Sequence, residues 1–265
     1  MNISKEQLYT LHRIAKQAGE AILEVYRQDF DVSYKDDSSP LTEADLASHH
    51  CILKGLAEAF PDIPVLSEES AEVPYQERAQ WDCFFLIDPL DGTKEFVKRN
   101  GEFTVNIALI CGQEAVAGVV YAPVLERSYL GAKQLGALKI EAAQEQRIAI
   151  APYQGGPLKV VASRSHASAD TEAFLTRLAQ DIPEQETLSI GSSLKLCLVA
   201  EGAAHIYPRF GPTMEWDSAA AHAIVSAAGG RVYQPNGEEL SYNKENLLNP
   251  FFLVSHDALA WSKYL

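Results

Sequence analysis

The chain has 265 residues, 22 Lys and Arg against 36 Asp and Glu, a formal net charge of −14, and 47% hydrophobic and 22% charged residues. That is the composition of an ordinary globular protein with one or two domains and enough chain for a sizeable core. A pI near 4.9 argues against a nucleic-acid-binding surface, because a phosphate backbone needs Lys and Arg to replace its counterions, but it leaves room for small anionic substrates wherever bound cations supply positive charge.

The first predicted element is a helix over about Lys5 to Tyr26, with Leu8, Leu11, Ile14, Ala15, Ala18, Ile22 and Val25 at helical spacing. A turn-rich stretch, 35–40, leads to a second helix from near Thr42 to about Phe60, where Pro61 stops it. Phe84 to Ile87 reads as a short buried strand. Phe103 to Ile110 and Ala115 to Tyr121 read as two strands joined by a turn at 111–114. Leu130 to Gly156 is rich in Gly, Ala and Gln and weakly periodic, which makes it the candidate boundary between an N-terminal subdomain, 1–145, and a C-terminal one, 146–265. Beyond it, strands at Leu158–Ala162, Leu188–Ile190 and Ala204–Tyr207 alternate with helices at Ala169–Ala179, Ser192–Glu201 and Asp217–Ala228, the last closed by Gly229-Gly230. The alternation predicts a layered α/β or α+β fold, with an antiparallel portion formed by the early, adjacent strands.

No apolar run approaches the roughly 20 residues of a membrane span, and Met1 to Lys16 carries neither the apolar core nor the cleavage pattern of a secretory signal. The four cysteines, Cys51, Cys83, Cys111 and Cys197, are widely spaced and form no C-x-x-C pair. They read as reduced thiols of a cytoplasmic protein.

The chemistry concentrates in four pieces. The densest is Ile87-Asp88-Pro89-Leu90-Asp91-Gly92-Thr93-Lys94-Glu95-Phe96. An apolar strand delivers Asp88 to its carboxyl end, Pro89 and Gly92 shape a turn, and Thr93 opens a short helix. Two carboxylates on such a turn can converge on a hard cation such as Mg²⁺, and the N–H groups of Gly92 and Thr93 face the same spot. The second piece, Leu66-Ser67-Glu68-Glu69-Ser70, adds a Glu pair that alone reads as a solvated loop. The third, Glu215-Trp216-Asp217-Ser218-Ala219-Ala220-Ala221, puts Asp217 where a helix N-cap stands, a position from which a carboxylate can cap and also ligate a metal. The fourth runs from Asp37 to Asp45. Thr42 and Asp45 have capping-box spacing, so Asp45 reads equally as a cap or as a catalytic acid/base. Ser163-Arg164-Ser165-His166 has no acid clearly paired with its His, and His49-His50 lacks the i, i+4 spacing of a helical metal pair.

Together these pieces resemble the inositol monophosphatase-like superfamily of Mg²⁺-dependent, Li⁺-sensitive phosphatases. The resemblance covers nearly the whole chain. It implies an α+β fold, layered as an α/β/α/β/α sandwich. The stretch from Thr93 to Asn106, with Lys94-Glu95 where an inositol monophosphatase reads Thr-Asn, together with Gly191-Ser192-Ser193-Leu194-Lys195, is similar to the bacterial 3′(2′),5′-bisphosphate nucleotidases of that superfamily. The resemblance further implies one Mg²⁺ on Glu68, Asp88 and the Leu90 carbonyl, and a second on Asp88, Asp91 and Asp217, with a third, weaker ion in some members. Thr93 and Asp45 become the catalytic pair that orients and deprotonates the attacking water, with Glu69 behind them. Gly92, Thr93, Ser192, Lys195 and Arg209 become substrate contacts, the last three for the phosphate that does not react. The implied reaction is in-line hydrolysis of the 3′-phosphate of 3′-phosphoadenosine 5′-phosphate, or of its sulfated analogue. An inositol monophosphatase or sugar phosphatase with the same metal site is the near alternative, and a non-catalytic acidic metal-binding module the distant one.

Overall fold

Lys5–Tyr26 forms a single helix, α1, in the computed structural model, which describes residues 3–28, 33–34, 40–41, 43–70, 73–162, 168–256 and 264. Ser4 Oγ accepts from the Gln7 N–H and Gln7 Oε1 accepts from the Ser4 N–H, a reciprocal cap that fixes its start. A two-stranded hairpin follows, β1 (Ser33–Tyr34) against β2 (Pro40–Leu41), then α2 (Glu43–Ala59). Next come β3 (Val65–Ser67), the single turn α3 (Tyr75–Arg78), β4 (Cys83–Asp91), the short α4 (Thr93–Val97), β5 (Thr104–Cys111) and β6 (Glu114–Ala122). The stretches 35–39 and 163–167, Thr42 and Trp261 lie outside the described residues, and with them the capping-box reading of Thr42 and the Ser163–His166 motif.

The weakly periodic region after β6 is not a linker. It folds as β7 (Arg127–Ala132), β8 (Gly136–Glu141) and β9 (Gln144–Ile148), which extend the first sheet as an antiparallel meander. A division at 145/146 falls inside β9. The second half continues with β10 (Leu158–Val161), α5 (Ala169–Asp181), β11 (Gln185–Leu188), α6 (Leu194–Ala200), β12 (Ile206–Arg209), α7 (Glu215–Ala227), β13 (Arg231–Tyr233) and β14 (Phe252–Ser255). The strand expected at 188–190 lies three residues earlier, because parallel pairing with β10 sets Leu158 opposite Gln185 and Val161 opposite Leu188. Residues 189–193 are thereby released to form a loop over the end of β4.

Two sheets organise five layers. The seven-stranded sheet has the order β3-β4-β5-β6-β7-β8-β9, and the five-stranded sheet has β11-β10-β12-β14-β13. The apolar run of β4 is buried on both faces. Phe85 and Ile87 pack with Leu8, Leu11, Ile14 and Ile52 of α1 and α2. Phe84 and Leu86 pack with Leu196, Ala220, Ala221 and Ile224 of α6 and α7. Those two helices reach Val161, Val232 and Val254 of the small sheet in the same cluster. The far face of that sheet, Leu158, Val160, Ile206 and Leu253, meets Phe174 and Leu178 of α5. The layering is α/β/α/β/α, as the resemblance implies.

Two glycines set how closely α7 lies on the large sheet. Gly118 of β6 and Gly131 of β7 are cross-strand partners. A Cβ at Gly118 would come within 2.1 Å of the Ala220 carbonyl oxygen, and one at Gly131 within 2.6 Å of Ile224 Cα. The alanine run 219–221 and this glycine pair therefore fit each other, and the contact brings the start of α7 to the end of β4.

The cysteines correct the sequence expectation. Cys83 and Cys111 stand directly opposite in the β4/β5 register and are joined by a disulfide, with Cα atoms 4.1 Å apart. Only Cys51 and Cys197 are free among the described residues. Sequence spacing hid the pair, since their proximity follows from strand register alone.

Candidate active site

The site begins with an irregularity in β4. Asp88 pairs with Asn106 and Asp91 with Thr104, so three steps along β4 oppose two along β5. In a regular strand residues i and i+3 point to opposite faces. The extra residue, beside Pro89 with its missing N–H, turns Asp88 and Asp91 to one side. Gly92 follows at φ +92° and caps α4, which Thr93 opens. Only glycine adopts that backbone angle without strain. The Thr93 hydroxyl donates to the Leu90 carbonyl at 3.4 Å.

The other acids arrive from separate elements. Asp45 is buried on the face of α2 that also carries Ser48 and His49. Ser48 Oγ donates to the Pro89 carbonyl at 2.7 Å and His49 Nδ1 lies 2.9 Å from Ser67 Oγ, which locks α2 onto the ends of β3 and β4. Glu68 follows β3 and lines a cavity of about 510 Å³ with Asp88, Leu90, Asp91, Thr93 and Asp217. Glu69 is half-buried beside His49; its backbone N–H donates to Ser67 Oγ and its charge favours the protonated ring, while burial, the larger effect, lowers the His49 pKa. Asp217 is not the N-cap of α7. Met214 holds that position, and Asp217, three residues on, accepts the Met214 N–H at 2.9 Å. The carboxylate closes the helix start from inside, because Glu215 and Trp216 already belong to the helix.

Electrostatics shows the convergence. Burial pushes Asp88 well above the usual carboxylate range, and the charges of Glu68, Asp91, Asp217 and Asp45 push it further. Burial raises Asp91, opposed by Lys195 and by hydrogen bonds from Ser193 and Asn106. Asp217 is pushed up to about 8, by burial first and Asp91 next. These acids conflict unless protons or cations neutralise them. Among the described residues no three His, Cys, Asp or Glu side chains already form a closed ligand set. The donors that converge are all oxygens, which fits Mg²⁺ and argues against softer metals.

Three groups not assigned from the sequence fix Asp91. The Ser193 N–H donates to its Oδ2 at 2.5 Å, Asn106 Nδ2 at 3.3 Å and Thr104 Oγ1 at 3.4 Å. Ser193 Oγ in turn donates to Asn106 Oδ1 at 2.8 Å. Ser192, at φ +50°, holds this loop in the left-handed region, a strained geometry that the Asp91 contact pays for. The periodic patterns of Thr104 and Asn106 pointed only to a strand; their role emerges from the register that sets them beside Asp91 and Asp88.

The acidic cavity opens into a second of about 190 Å³, lined among others by Ser192, Lys195, Tyr207 and Arg209. Asp91, Gly92 and Asp217 line both. The structure thus gathers Ser192, Lys195 and Arg209, from α6, the loop before it and β12, at one wall. Burial lowers the Lys195 pKa, with Asp91 opposing. Arg209 donates to the Pro212 carbonyl at 2.8 Å, while its buried Nε has no hydrogen-bond partner.

Comparison with known proteins agrees with this fold. The Inositol monophosphatase family profile matches residues 4–260. The 3′(2′),5′-bisphosphate nucleotidase CysQ of Escherichia coli (strain K12) is 49% identical over 246 residues, 92% of this chain and 97% of that protein. The protein of the same name from Buchnera aphidicola is 41% identical over 259 residues, covering 96% and 95%. The crystal structure of CysQ from Bacteroides thetaiotaomicron, described as a bacterial member of the inositol monophosphatase family, superposes with a TM-score of 0.86 at 43% identity, covering 95% of this chain and 97% of that one. The match runs almost end to end at these identities, and on that footing the chain belongs to the inositol monophosphatase family.

Proposed function

We propose that the protein is a Mg²⁺-dependent, Li⁺-sensitive 3′(2′),5′-bisphosphate nucleotidase that hydrolyses the 3′-phosphate of 3′-phosphoadenosine 5′-phosphate to AMP and phosphate, and acts in the cytoplasm. The observation that carries this reading is a single cleft with two chemistries, an acidic floor and a wall bearing Lys195 and Arg209. A phosphatase for monoesters needs the floor alone. A substrate with a second phosphate needs the wall as well. Relatives that carry the nucleotidase name at 41–49% identity support the same substrate class.

Glu68, Asp88, the Leu90 carbonyl, Asp91 and Asp217 would hold two Mg²⁺ ions. When bound, the metal supplies Lewis-acid stabilisation of charge on the phosphoryl oxygens. The chain's own residues do the positioning that phosphoryl transfer requires. Thr93 Oγ1 and the Asp45 carboxylate orient the attacking water and take its proton. The Ser193, Asn106 and Thr104 donors fix the Asp91 carboxylate in direction, and the first two oppose the rise that burial imposes on its pKa. Ser192, Lys195 and the Arg209 fork bind the phosphate that stays. The Cys83–Cys111 bond is uncommon for a cytoplasmic protein.

Lys195→Ala tests the reading. It should lower kcat/KM for the bisphosphate nucleotide by about tenfold or more, the value of a charge-assisted hydrogen bond, and lower it far less for inositol 1-phosphate. Equal losses on both substrates would favour a general monophosphatase.

A further inference from the structure

The cleft holds two more cations than the assigned contacts require. Lys94 and Lys98, four residues apart on and just after α4, line the same cavity as Lys195 and Arg209, and at that spacing their side chains leave one helical face. Elsewhere in this acidic chain several lysines and arginines stand against carboxylates: Arg127 and Lys139 with Glu141, Lys133 with Glu114, Arg231 with Glu239, Lys244 with Glu215. Among the described residues, none of the four cleft cations makes an ion pair with a carboxylate. The acids that share their cavity are Asp91, Glu95 and Asp217, and all three also line the acidic floor. Lys94 and Lys98 are exposed and carry no fold-holding contact. Lys94 and Lys98, exposed where they line this cavity on a chain of net charge −14, put positive charge where a polyanion meets it before the acidic floor.

We propose that Lys94 and Lys98 are specificity residues that bind the non-reacting phosphate of the substrate from the α4 side of the cavity and so set the preference for a doubly phosphorylated nucleotide. This rests on the nucleotidase reading. The two lysines complete a cradle whose other wall is Lys195 and Arg209, and they raise the capture rate of a dianionic group that the rest of the surface repels. Their contribution is a point charge on a flexible stem, so it depends on sign more than on shape.

The test is steady-state kinetics on Lys94→Gln, Lys98→Gln and the double variant, with 3′-phosphoadenosine 5′-phosphate and adenosine 3′-phosphate as paired substrates over a range of NaCl concentrations. The readout is the ratio of the two kcat/KM values. Each single substitution should lower that ratio by about tenfold, mostly through KM for the bisphosphate. The double variant should also lose most of the salt dependence, and Lys94→Arg should restore most of the ratio. Because both side chains are exposed and unpaired, the melting temperature should stay with the wild type. A wild-type preference that survives in the double variant within about twofold overturns the assignment of the lysines and leaves the nucleotidase reading standing. A wild-type enzyme with no preference for the doubly phosphorylated substrate overturns both.

Discussion

Gly118→Ala is the smallest substitution that links packing to chemistry in this molecule. The new Cβ would fall 2.1 Å from the Ala220 carbonyl oxygen and 2.8 Å from the Ala220 carbonyl carbon and Cα. Ordinary van der Waals contact starts at 3.4 Å, so α7 must retreat from the sheet by about 1 Å, and no rotamer change can relieve a clash with backbone. Overpacking of this kind costs about 3 kcal/mol, near the upper end for one inserted methyl. In a chain of this size that lowers the melting temperature by roughly 6–12 °C. Asp217 lies three residues before Ala220 in the same helix, so its carboxylate moves with the backbone. A displacement of about 1 Å at a positioning group costs on the order of 10²-fold in rate. Calorimetry paired with Mg²⁺-dependent phosphate release, measured well below the lowered melting point, checks both numbers. A variant that melts within about 1 °C of wild type and keeps full activity would refute the account of how α7 is seated.

Asp88→Asn keeps the side-chain shape and removes the charge at the centre of the acidic cluster. Phosphate release should fall by about three orders of magnitude, while the metal-free protein melts higher because the repulsion among Glu68, Asp91, Asp217 and Asp45 is relieved; an unaltered rate would remove the catalytic reading. The pH dependence of the metal-free protein has a definite sign. Asp217 is raised to about 8, and the unfolded chain releases that proton near pH 4, so the stability it contributes is complete at acid pH and is lost as pH rises through about 8. With chelator present the melting temperature should drop between pH 6 and pH 8.5, and saturating Mg²⁺ should abolish the drop; a rise in that window without metal contradicts it. Thiol titration of the unfolded, unreduced protein should count two thiols, Cys51 and Cys197, and a count of four would contradict the Cys83–Cys111 bond.

Much of the architecture was legible because it is local. The stripe Leu8, Leu11, Ile14, Ala15, Ala18 and Ile22 is a helix in any context that buries one face, and the structure places α1 over the predicted residues. The apolar run before Asp88 is a strand buried on both faces. The β7–β9 meander escaped because its punctuation is unusual. Ala142 and Ala143 make the β8–β9 turn at φ +49° and +60°, where Asn-Gly or Asp-Gly is the ordinary pattern, and β9 is an exposed, polar edge strand. Gly131, inside the stretch read as a candidate boundary, is a packing residue under α7.

The site divides in the same way. Asp88, Asp91, Gly92 and Thr93 lie in one ten-residue string, and the turn that joins them could be read from Pro89 and Gly92. Ser193, Asn106 and Thr104 could not be assigned, because their contact with Asp91 depends on the β4/β5 register and on a loop 100 residues away. Lys94 and Lys98 had no assigned role in the sequence, and only the fold shows that they share a cavity with Lys195 and Arg209.

The central claim is that the cleft is built for a nucleotide with two phosphates. It is tested most directly by phosphate release measured in parallel from 3′-phosphoadenosine 5′-phosphate and from inositol 1-phosphate, each with Mg²⁺ and again with added Li⁺. The account predicts a strong preference for the nucleotide, absolute dependence on Mg²⁺ and inhibition by Li⁺. Faster release from inositol 1-phosphate would contradict it.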